Sequence, residues 1–296
     1  MDWDKLRVFH AVAEAGSFTH AGETLNLSQS AVSRQISALE ESLHVPLFHR
    51  HARGLIMTEQ GELLYQTVRE VFAKLAMTEA MLTENREQPK GPLKITTTLA
   101  FGSTWLMPRI GEFLDRYPEI SVSLLFDDND LDLGMREADV AIRFSGVRQP
   151  DLIKRHLLTI HFHVYAAPSY LKRRPPPATP AELERHQLVI YGQSEHPPFP
   201  QVNWLQELAL DNGWRDGPVL KVNNYYAIFR AVQSGIGLAA LPSYLAQEDP
   251  NLVRVLPEIE GPTVPADFLY PEELRNSKRI AVLRDFLLQK IGREQF

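Results

Sequence analysis

A short stretch near the N-terminus places hydroxyl and guanidinium groups at helical spacing. When the apolar side chains of this stretch face one way, Ser30, Arg34 and Ser37 fall on the opposite side of the helix. Such groups donate hydrogen bonds to phosphate oxygens and to the edges of DNA bases, and the first carboxylates come only at Glu40 and Glu41. The candidate DNA contacts are Ser28, Gln29, Ser30, Ser33, Arg34, Gln35, Ser37, His49, Arg50 and Arg53.

Three short helices are predicted to position these groups. The first covers about 3–15, and the second starts after Gly16–Phe18. The third begins at Ser28, whose hydroxyl suits an N-cap, and ends near Leu43. Only Asn26 and Leu27 separate the second and third helices, and Asn tolerates a left-handed turn. Two helices joined this tightly predict a helix-turn-helix motif.

A basic turn follows the third helix. Apolar pairs at 47–48 and 55–56 bracket the sequence from His49 to Gly54, which includes Arg50 and Arg53. This pattern predicts a β-wing that lays both arginines on the phosphate backbone.

The next segment, 58–88, predicts one long helix. Thr58 suits its N-cap and Pro89 follows its end. Its apolar residues recur at coiled-coil spacing, at Leu64, Val68, Val71, Leu75 and Leu82. This stripe favours packing on a partner helix; the alternative is a helix docked on its own domain.

After Pro92 the pattern alternates between strands and helices, which predicts α/β architecture. Strands are predicted at 93–99, 120–126, 139–144, 152–159, 161–167, 188–191, 219–222 and 237–241, and helices at 105–117, 180–186, 225–234 and 274–291. About 200 residues are long for one lobe, so we expect two lobes with the chain crossing near 161–167 and a small-molecule cleft between them.

Hydroxyl-bearing residues follow the first of these strands and lead into a helix. Helix N-termini attract anions, so a carboxylate ligand is expected there; the alternative is that Ser103 caps the helix while the threonines fill strand positions. The candidate effector contacts are Thr97, Thr98, Ala100, Phe101, Ser103, Thr104, Phe144, Ser145, Tyr191, Asn223 and Tyr225.

Composition limits the remaining function classes. The 296 residues include no Cys, which excludes disulfides and thiol chemistry and allows a cytoplasmic location. A secretory leader and a membrane span are not expected, because no basic start with an apolar run and no stretch of about 18 apolar residues occurs. The net charge of −6 means that nucleic-acid binding must come from a local patch.

Several short motifs partly match the patterns of nucleotide-binding and metal-binding sites. The run 235–240 fits G-x-G-x-x-A, but a helix precedes it and a strand follows, which is the wrong order for a dinucleotide site. Alternating aspartates from Asp128 mimic a calcium loop, yet Leu133 stands where the turn needs Gly, and two His-x-His pairs lack a nearby third ligand. We therefore predict no catalytic residues, no metal and no cofactor.

The chain resembles the LysR-type transcriptional regulators over its whole length. The matching residues are Phe9, Gly16–Phe18, Ala21, Leu25, Ser28–Ile36, Leu39–Glu40, Leu43, Leu47–Phe48, Arg50, Arg53, Thr58, Gly61, Trp105–Arg109, Phe113, Tyr117–Pro118, Ala138–Arg143, Ala167–Leu171 and Ala231–Pro242. Segments 222–224 and 270–275 resemble a VtlR-type subgroup. Gly22 departs from the family's usual Ala, at a helix-propensity cost of about 1 kcal/mol.

The resemblance implies an α+β multidomain protein with three parts. These are a winged helix-turn-helix domain at 1–58, a dimerising linker helix at 59–88, and a two-lobe α/β effector domain like periplasmic binding proteins at 89–296. Lobe 1 is expected at about 92–164 and 270–296, and lobe 2 at about 165–269. The family also implies homodimers and homotetramers on interrupted palindromes of double-stranded promoter DNA, a small-molecule effector, and RNA polymerase as a partner of activators.

Two other classes stay open at this point. The first is a solute-binding protein that has lost its DNA-binding function, which would be monomeric and exported. The expected absence of a leader and the polar face around Arg34 disfavour this class. An enzyme is disfavoured because no catalytic constellation survives.

Overall fold

The computed structural model describes residues 2–51, 54–83, 88–129, 131–144, 149, 151–192, 197–215 and 219–292. The chain forms two compact units, residues 1–83 and 84–296. Among the described residues, no helix is long and apolar enough to cross a membrane.

The first unit consists of four helices and one hairpin. Its elements are α1 Trp3–Ala15, α2 Phe18–Leu25, α3 Gln29–Leu43, β1 Phe48–His51, β2 Gly54–Met57 and α4 Glu59–Thr83. The strands β1 and β2 pair antiparallel, which confirms the predicted wing.

Local capping sets the three short helices as predicted. The Ser28 hydroxyl accepts a hydrogen bond from the Ala31 N–H at 3.2 Å, so α3 begins at the next residue. Asn26 ends α2 in the left-handed conformation, with a φ of 54°. The two predicted turn residues therefore do join α2 to α3.

The core of the first unit is formed by one face of each helix. Val32, Ile36 and Leu39 of α3 are buried as predicted. Phe9 of α1 is fully buried, and its ring lies 5.4 Å from that of Phe48 between centroids. The apolar start of the wing is therefore part of the same core that orients α3.

Gly22 has a packing reason in this chain. A Cβ at this position would lie 2.6 Å from the backbone oxygen of Leu27, and the Leu27 N–H donates to the Gly22 carbonyl. The turn between α2 and α3 thus passes too close to α2 for a side chain at Gly22.

We expect Gly22→Ala to destabilise the protein although Ala is the better helix former. The helix-propensity gain is up to about 1 kcal/mol, whereas overpacking costs about 1–3 kcal/mol. Chemical denaturation followed by helix circular dichroism measures the difference, with Gly111→Ala as control because a Cβ there meets no atom within 4 Å. A more stable Gly22→Ala protein would contradict the close approach.

The long helix α4 has two kinds of apolar surface. It begins after Thr58, whose hydroxyl accepts from the Gly61 N–H at 2.9 Å and donates to the Pro46 carbonyl at 2.8 Å. Val68 is buried in the core of the first unit, whereas Val71 and Leu75 are 41% and 49% exposed. The helix therefore docks on its own domain through Val68, whereas Val71 and Leu75 leave apolar surface exposed. Packing of α4 on a partner helix stays a prediction.

The second unit alternates strands and helices. Its strands are β3 Gly91–Thr97, β4 Ile120–Phe126, β5 Val140–Phe144, β6 Leu152–Ala166, β7 Leu188–Tyr191, β8 Val219–Val222, β9 Ala239–Pro242, β10 Val253–Val255 and β11 Thr263–Pro271. Its α-helices are α5 Leu99–Phe101, α6 Met107–Arg116, α7 Pro168–Leu171, α8 Trp204–Asp211, α9 Tyr225–Gln233, α10 Ser243–Ala246 and α11 Lys278–Ile291. A π-helical turn, Gly102–Leu106, joins α5 to α6, and Pro180–Arg185 and Glu272–Leu274 are 3₁₀ turns.

The strands form two lobes that share β6. In the first lobe β3 pairs in parallel with β4 and β5, and β11 pairs antiparallel with β5 and with the first part of β6. In the second lobe the last part of β6 pairs with β9 and β10, and β7 pairs in parallel with β8. The two-lobe α/β architecture of the prediction is confirmed.

The strands that connect the two lobes differ from the prediction. The predicted strands 152–159 and 161–167 are one strand of 15 residues, because no residue between them interrupts the extended backbone. The returning strand β11 has no counterpart in the prediction, since Pro265 and Pro271 argue against a strand. The pairing of β11 with β5 begins at Ala266, one residue after Pro265. The missing N–H of Pro265 therefore removes no hydrogen bond between β11 and β5. The chain rejoins the first sheet at Thr263, earlier than the boundary near 270.

Smaller differences concern element ends. Leu99 starts α5 instead of ending the first strand, the predicted helix at 180–186 is a 3₁₀ turn, and the helix Trp204–Asp211 was not expected. None of these changes the order of the lobes.

Candidate functional site

The exposed side of α3 has the expected composition. Gln29, Ser30 and Arg34 are exposed, and Ser33, Gln35 and Ser37 are partly exposed. The Arg34 Nε donates to the Ser30 carbonyl at 3.3 Å, and its other N–H groups have no hydrogen-bond partner among the described residues. We call this side of α3 the recognition face. It offers a guanidinium held near the helix surface together with short polar groups.

Glu40 has a role that the sequence did not show. Its Oε1 accepts hydrogen bonds from the backbone N–H groups of Leu47 at 2.7 Å and Phe48 at 3.2 Å. These bonds tie the end of α3 to the start of the wing. The carboxylate is thus engaged by the backbone, and its partners lie too far along the chain for a sequence pattern to reveal.

The wing is described only in part. His49 is exposed on β1. Arg50 is on the same strand, but its side chain lies outside the described atoms, and Arg53 lies outside the described residues. Their contacts with DNA therefore stay a prediction.

A pocket opens between the lobes of the second unit. Five predicted residues line it, namely Thr98, Ala100, Phe144, Tyr191 and Tyr225. The other lining residues are Asp128, Ile160, Phe162, Pro198, Phe199, Pro242, Tyr244 and Val264. We call this space the cleft pocket. Its mainly apolar wall and its place between two lobes suit the binding of a small molecule.

Other predicted effector contacts lie behind the wall. Phe101 is fully buried and stacks on Trp105, with ring centroids 4.8 Å apart. The hydroxyls of Ser103 and Thr104 donate to helix carbonyls, of Leu99 at 2.6 Å and Ala100 at 2.8 Å. Ser103 therefore does not cap the helix, whereas Thr96 and Thr97 do fill strand positions at the end of β3. Neither Ser103 nor Thr104 lines the pocket, and their contact with an effector stays a prediction.

The last three predicted contacts also lie outside the pocket wall. Thr97 is buried within β3 and Asn223 is exposed outside the pocket. Ser145 lies outside the described residues.

Asp128 occupies the helix N-terminus that was expected to hold a ligand carboxylate. Its Oδ1 accepts a hydrogen bond from the Leu99 N–H at 3.1 Å. Burial raises the pKa of Asp128, while the bond from Leu99 and the nearby Arg143 guanidinium act in the opposite direction. The protein therefore supplies its own carboxylate at this position.

The tyrosines of the pocket are held protonated. Burial, with the charge of Asp128 as a second cause, raises the pKa of Tyr191 to about 12. The same two causes raise the pKa of Tyr244, and burial raises that of Tyr225, whose hydroxyl donates to the Val202 carbonyl at 3.1 Å. The hydroxyls remain neutral hydrogen-bonding groups at physiological pH.

These shifts predict a loss of stability in alkali. Each tyrosine keeps its proton in the folded state at a pH where the unfolded state has lost it, so its contribution is complete below pH 10 and is lost as pH rises. For Tyr191 the window extends from pH 10 to about 12. Melting temperatures are measured from pH 8 to pH 12, a range that includes this window. They should fall less steeply with pH for Tyr191→Phe than for wild type, because Phe has no proton to lose. Equal slopes would contradict the buried, neutral tyrosine.

A winged helix-turn-helix followed by a two-lobe unit with a pocket between its lobes defines a class of ligand-responsive DNA-binding regulators. Comparison with known families gives the same result. Residues 3–62 match the bacterial regulatory helix-turn-helix protein, lysR family, and residues 86–292 match the LysR substrate binding domain. The chain belongs to the LysR family of transcriptional regulators, which are not enzymes.

Relatives span nearly the whole chain. The regulator CrgA of Neisseria meningitidis is 29% identical over 293 residues, covering 98% of this chain and 97% of CrgA. The glycine cleavage system transcriptional activator of Escherichia coli is 29% identical over 294 residues, covering 98% of this chain and 94% of that protein. These relatives do not assign a VtlR-type subgroup, which stays a prediction.

Solved structures agree with the fold. The full-length virulence activator AphB of Vibrio cholerae, 26% identical, has a TM-score of 0.60 and covers 98% of this chain and 99% of its own. The structure of CrgA, 28% identical, also has a TM-score of 0.60, with 99% of both chains covered.

Proposed function

We propose that the recognition face of α3 reads promoter DNA and that a small effector in the cleft pocket modulates transcription. The observation that supports the DNA part is the exposed Arg34 among polar groups. The carboxylate of Glu40, farther along α3, is engaged by backbone N–H groups of the wing. The proposed DNA contacts are Ser28, Gln29, Ser30, Ser33, Arg34, Gln35, Ser37, His49, Arg50 and Arg53. The boundaries 1–58, 59–88 and 89–296 remain part of the proposal.

The pocket supports an effector role through its walls. Thr98 and Phe144 come from the first lobe, Tyr191 and Tyr225 come from the second, and Ile160 lies on the shared strand β6. A ligand that contacts both lobes stabilises the arrangement in which they face it, which is the way a ligand shifts a conformational equilibrium. An anionic effector, expected from the sequence, meets no Lys, Arg or His among the described lining residues.

The DNA part is tested by fluorescence anisotropy of the full-length protein on a labelled duplex from upstream of its own gene. We expect tighter binding than to a shuffled duplex of equal length, with affinity that falls steeply with salt because phosphate contacts release counterions. Equal affinity for both duplexes at every salt concentration would overturn the proposed function.

The assembly is proposed to be a dimer through α4, and a tetramer of two dimers, in the cytoplasm, with RNA polymerase as the partner where transcription is activated. The exposed side chains of Val71 and Leu75 support the α4 contact, since apolar surface of this kind is buried in helix pairs.

Leu75→Glu is expected to weaken self-association, because it places a charge in the apolar stripe of α4. Sedimentation velocity should show a shift toward smaller species. Lys74→Glu, which changes the charge of the neighbouring exposed residue, is the control and should sediment like wild type. A Leu75→Glu protein with unchanged sedimentation would exclude this surface.

A further inference from the structure

We propose that the cleft pocket takes a ligand with a protonated amine on an apolar or aromatic body, and that the Asp128 carboxylate is its counter-ion. The inference rests on the proposed function, in which this pocket holds the effector. It replaces the carboxylate ligand expected from the sequence.

The charge of the pocket wall is the first support. Asp128 is the one ionisable acid or base, tyrosines aside, among the described lining residues. One of its oxygens accepts from the Leu99 N–H, and the other has no hydrogen-bond partner among the described residues. A ligand anion placed at this helix end would have to displace that carboxylate and would be repelled by it.

The nearby Arg143 guanidinium favours the ionised form of Asp128 from behind the pocket wall. Arg143 is buried, does not line the pocket, and donates to the Thr96 Oγ1 at 3.0 Å and to the Asn129 carbonyl at 2.9 Å. Burial is nevertheless the largest influence on Asp128 and works against its ionised form. A carboxylate held in this way gains most from a partner that brings a positive charge into hydrogen-bond reach.

The aromatic wall is the second, independent support. The Tyr225 ring lies 5.5 Å from Phe162, 5.9 Å from Phe199 and 5.7 Å from Tyr191 between centroids. Phe144 and Tyr244 line the pocket as well, each 5.4 Å from the buried ring of Phe101. Aromatic rings attract an ammonium group and also pack against an apolar body. Aromatic rings beside the one carboxylate among the described lining residues therefore favour an amine.

Calorimetry with three probes of nearly equal shape tests the inference on the full-length protein. The probes are 2-phenylethylamine, 2-phenylethanol and phenylacetate, which differ in the charge of one end. We expect the amine to bind most tightly and phenylacetate least. Asp128→Asn should weaken amine binding about 30-fold or more, as expected when a charged partner is removed from a buried pair, and should leave the alcohol unchanged.

The variants separate charge from folding. Asn at position 128 retains an acceptor for the Leu99 N–H, and unchanged binding of the alcohol shows that the pocket is intact. Asp127→Asn is the matched control, because Asp127 caps the Asn129 N–H at 2.9 Å and does not line the pocket. It should bind the amine like wild type.

Three results would overturn the inference: phenylacetate binding more tightly than the amine, amine binding that Asp128→Asn does not change, or no binding of any probe. If phenylacetate binds and this binding is lost in Phe199→Ala, the cleft pocket is still the effector site, but it prefers an anion. The anisotropy experiment on DNA is independent of all three probes, so its failure would concern the proposed function alone.

Discussion

Replacing Arg34 by alanine is expected to weaken binding to the specific DNA site by about 5- to 150-fold, which corresponds to about 1–3 kcal/mol. Arg34 lies in the middle of the recognition face, and its Nε bond to the Ser30 carbonyl leaves other N–H groups for DNA. A guanidinium that contacts a base edge contributes to affinity and to sequence preference together.

Two measurements separate these contributions. Competition between specific and shuffled duplexes should show a smaller preference for Arg34→Ala than for wild type, since a lost base contact affects the specific site most. Arg7→Ala removes the same charge from an exposed position on α1 and should reduce affinity far less. Equal losses in the two variants would mean that Arg34 contributes charge only.

Replacing Phe9 by alanine is expected to lower the free energy of unfolding by about 3–5 kcal/mol, as for other fully buried phenylalanines. Phe9 is 0% exposed and contacts Phe48, whose own ring lies 6.3 Å from Phe18. The cavity would lie where α1, α2 and the wing meet. Since small domains are stable by only about 5–15 kcal/mol, DNA binding should fail through loss of the fold.

Chemical denaturation of the full-length protein measures this effect. Ile56→Ala is the control, because Ile56 is 58% exposed and exposed substitutions change stability by about 0.5 kcal/mol or less. A Phe9→Ala protein within about 1 kcal/mol of wild type would contradict the buried core that positions α3.

The first unit was predictable because its signals are local. Ser28 caps α3 through a residue three positions away, and Asn26 ends α2 by its own backbone conformation. Glu40 was missed because its partners, the N–H groups of Leu47 and Phe48, become neighbours only after the chain turns into the wing.

In the second unit, local sequence signals predict only some of the residues that line the pocket. Thr98, Phe144 and Tyr191 were found because each stands at the end of a predicted strand. Phe199 and Tyr244 reach the pocket through the packing of the second lobe, which no nearby pattern encodes. The strand β11 was missed because its prolines are tolerated only by its particular pairing with β5 and β6.

Asp128 had the largest effect on the interpretation of the site. As a member of an alternating acidic run, it resembled part of a metal loop or a solvated turn. Its carboxylate instead accepts from the Leu99 N–H, beside the pocket. Sequence separation hides this contact, on which the proposed preference for an amine ligand rests.

Genome-wide mapping of the DNA bound in cells by the full-length protein and by its Arg34→Ala variant tests whether the recognition face directs the protein to promoters. We expect discrete sites upstream of a small set of genes, including the protein's own, that share an interrupted inverted repeat and are lost or weakened in Arg34→Ala. A wild-type profile without discrete sites, or one that Arg34→Ala reproduces unchanged, would contradict this expectation.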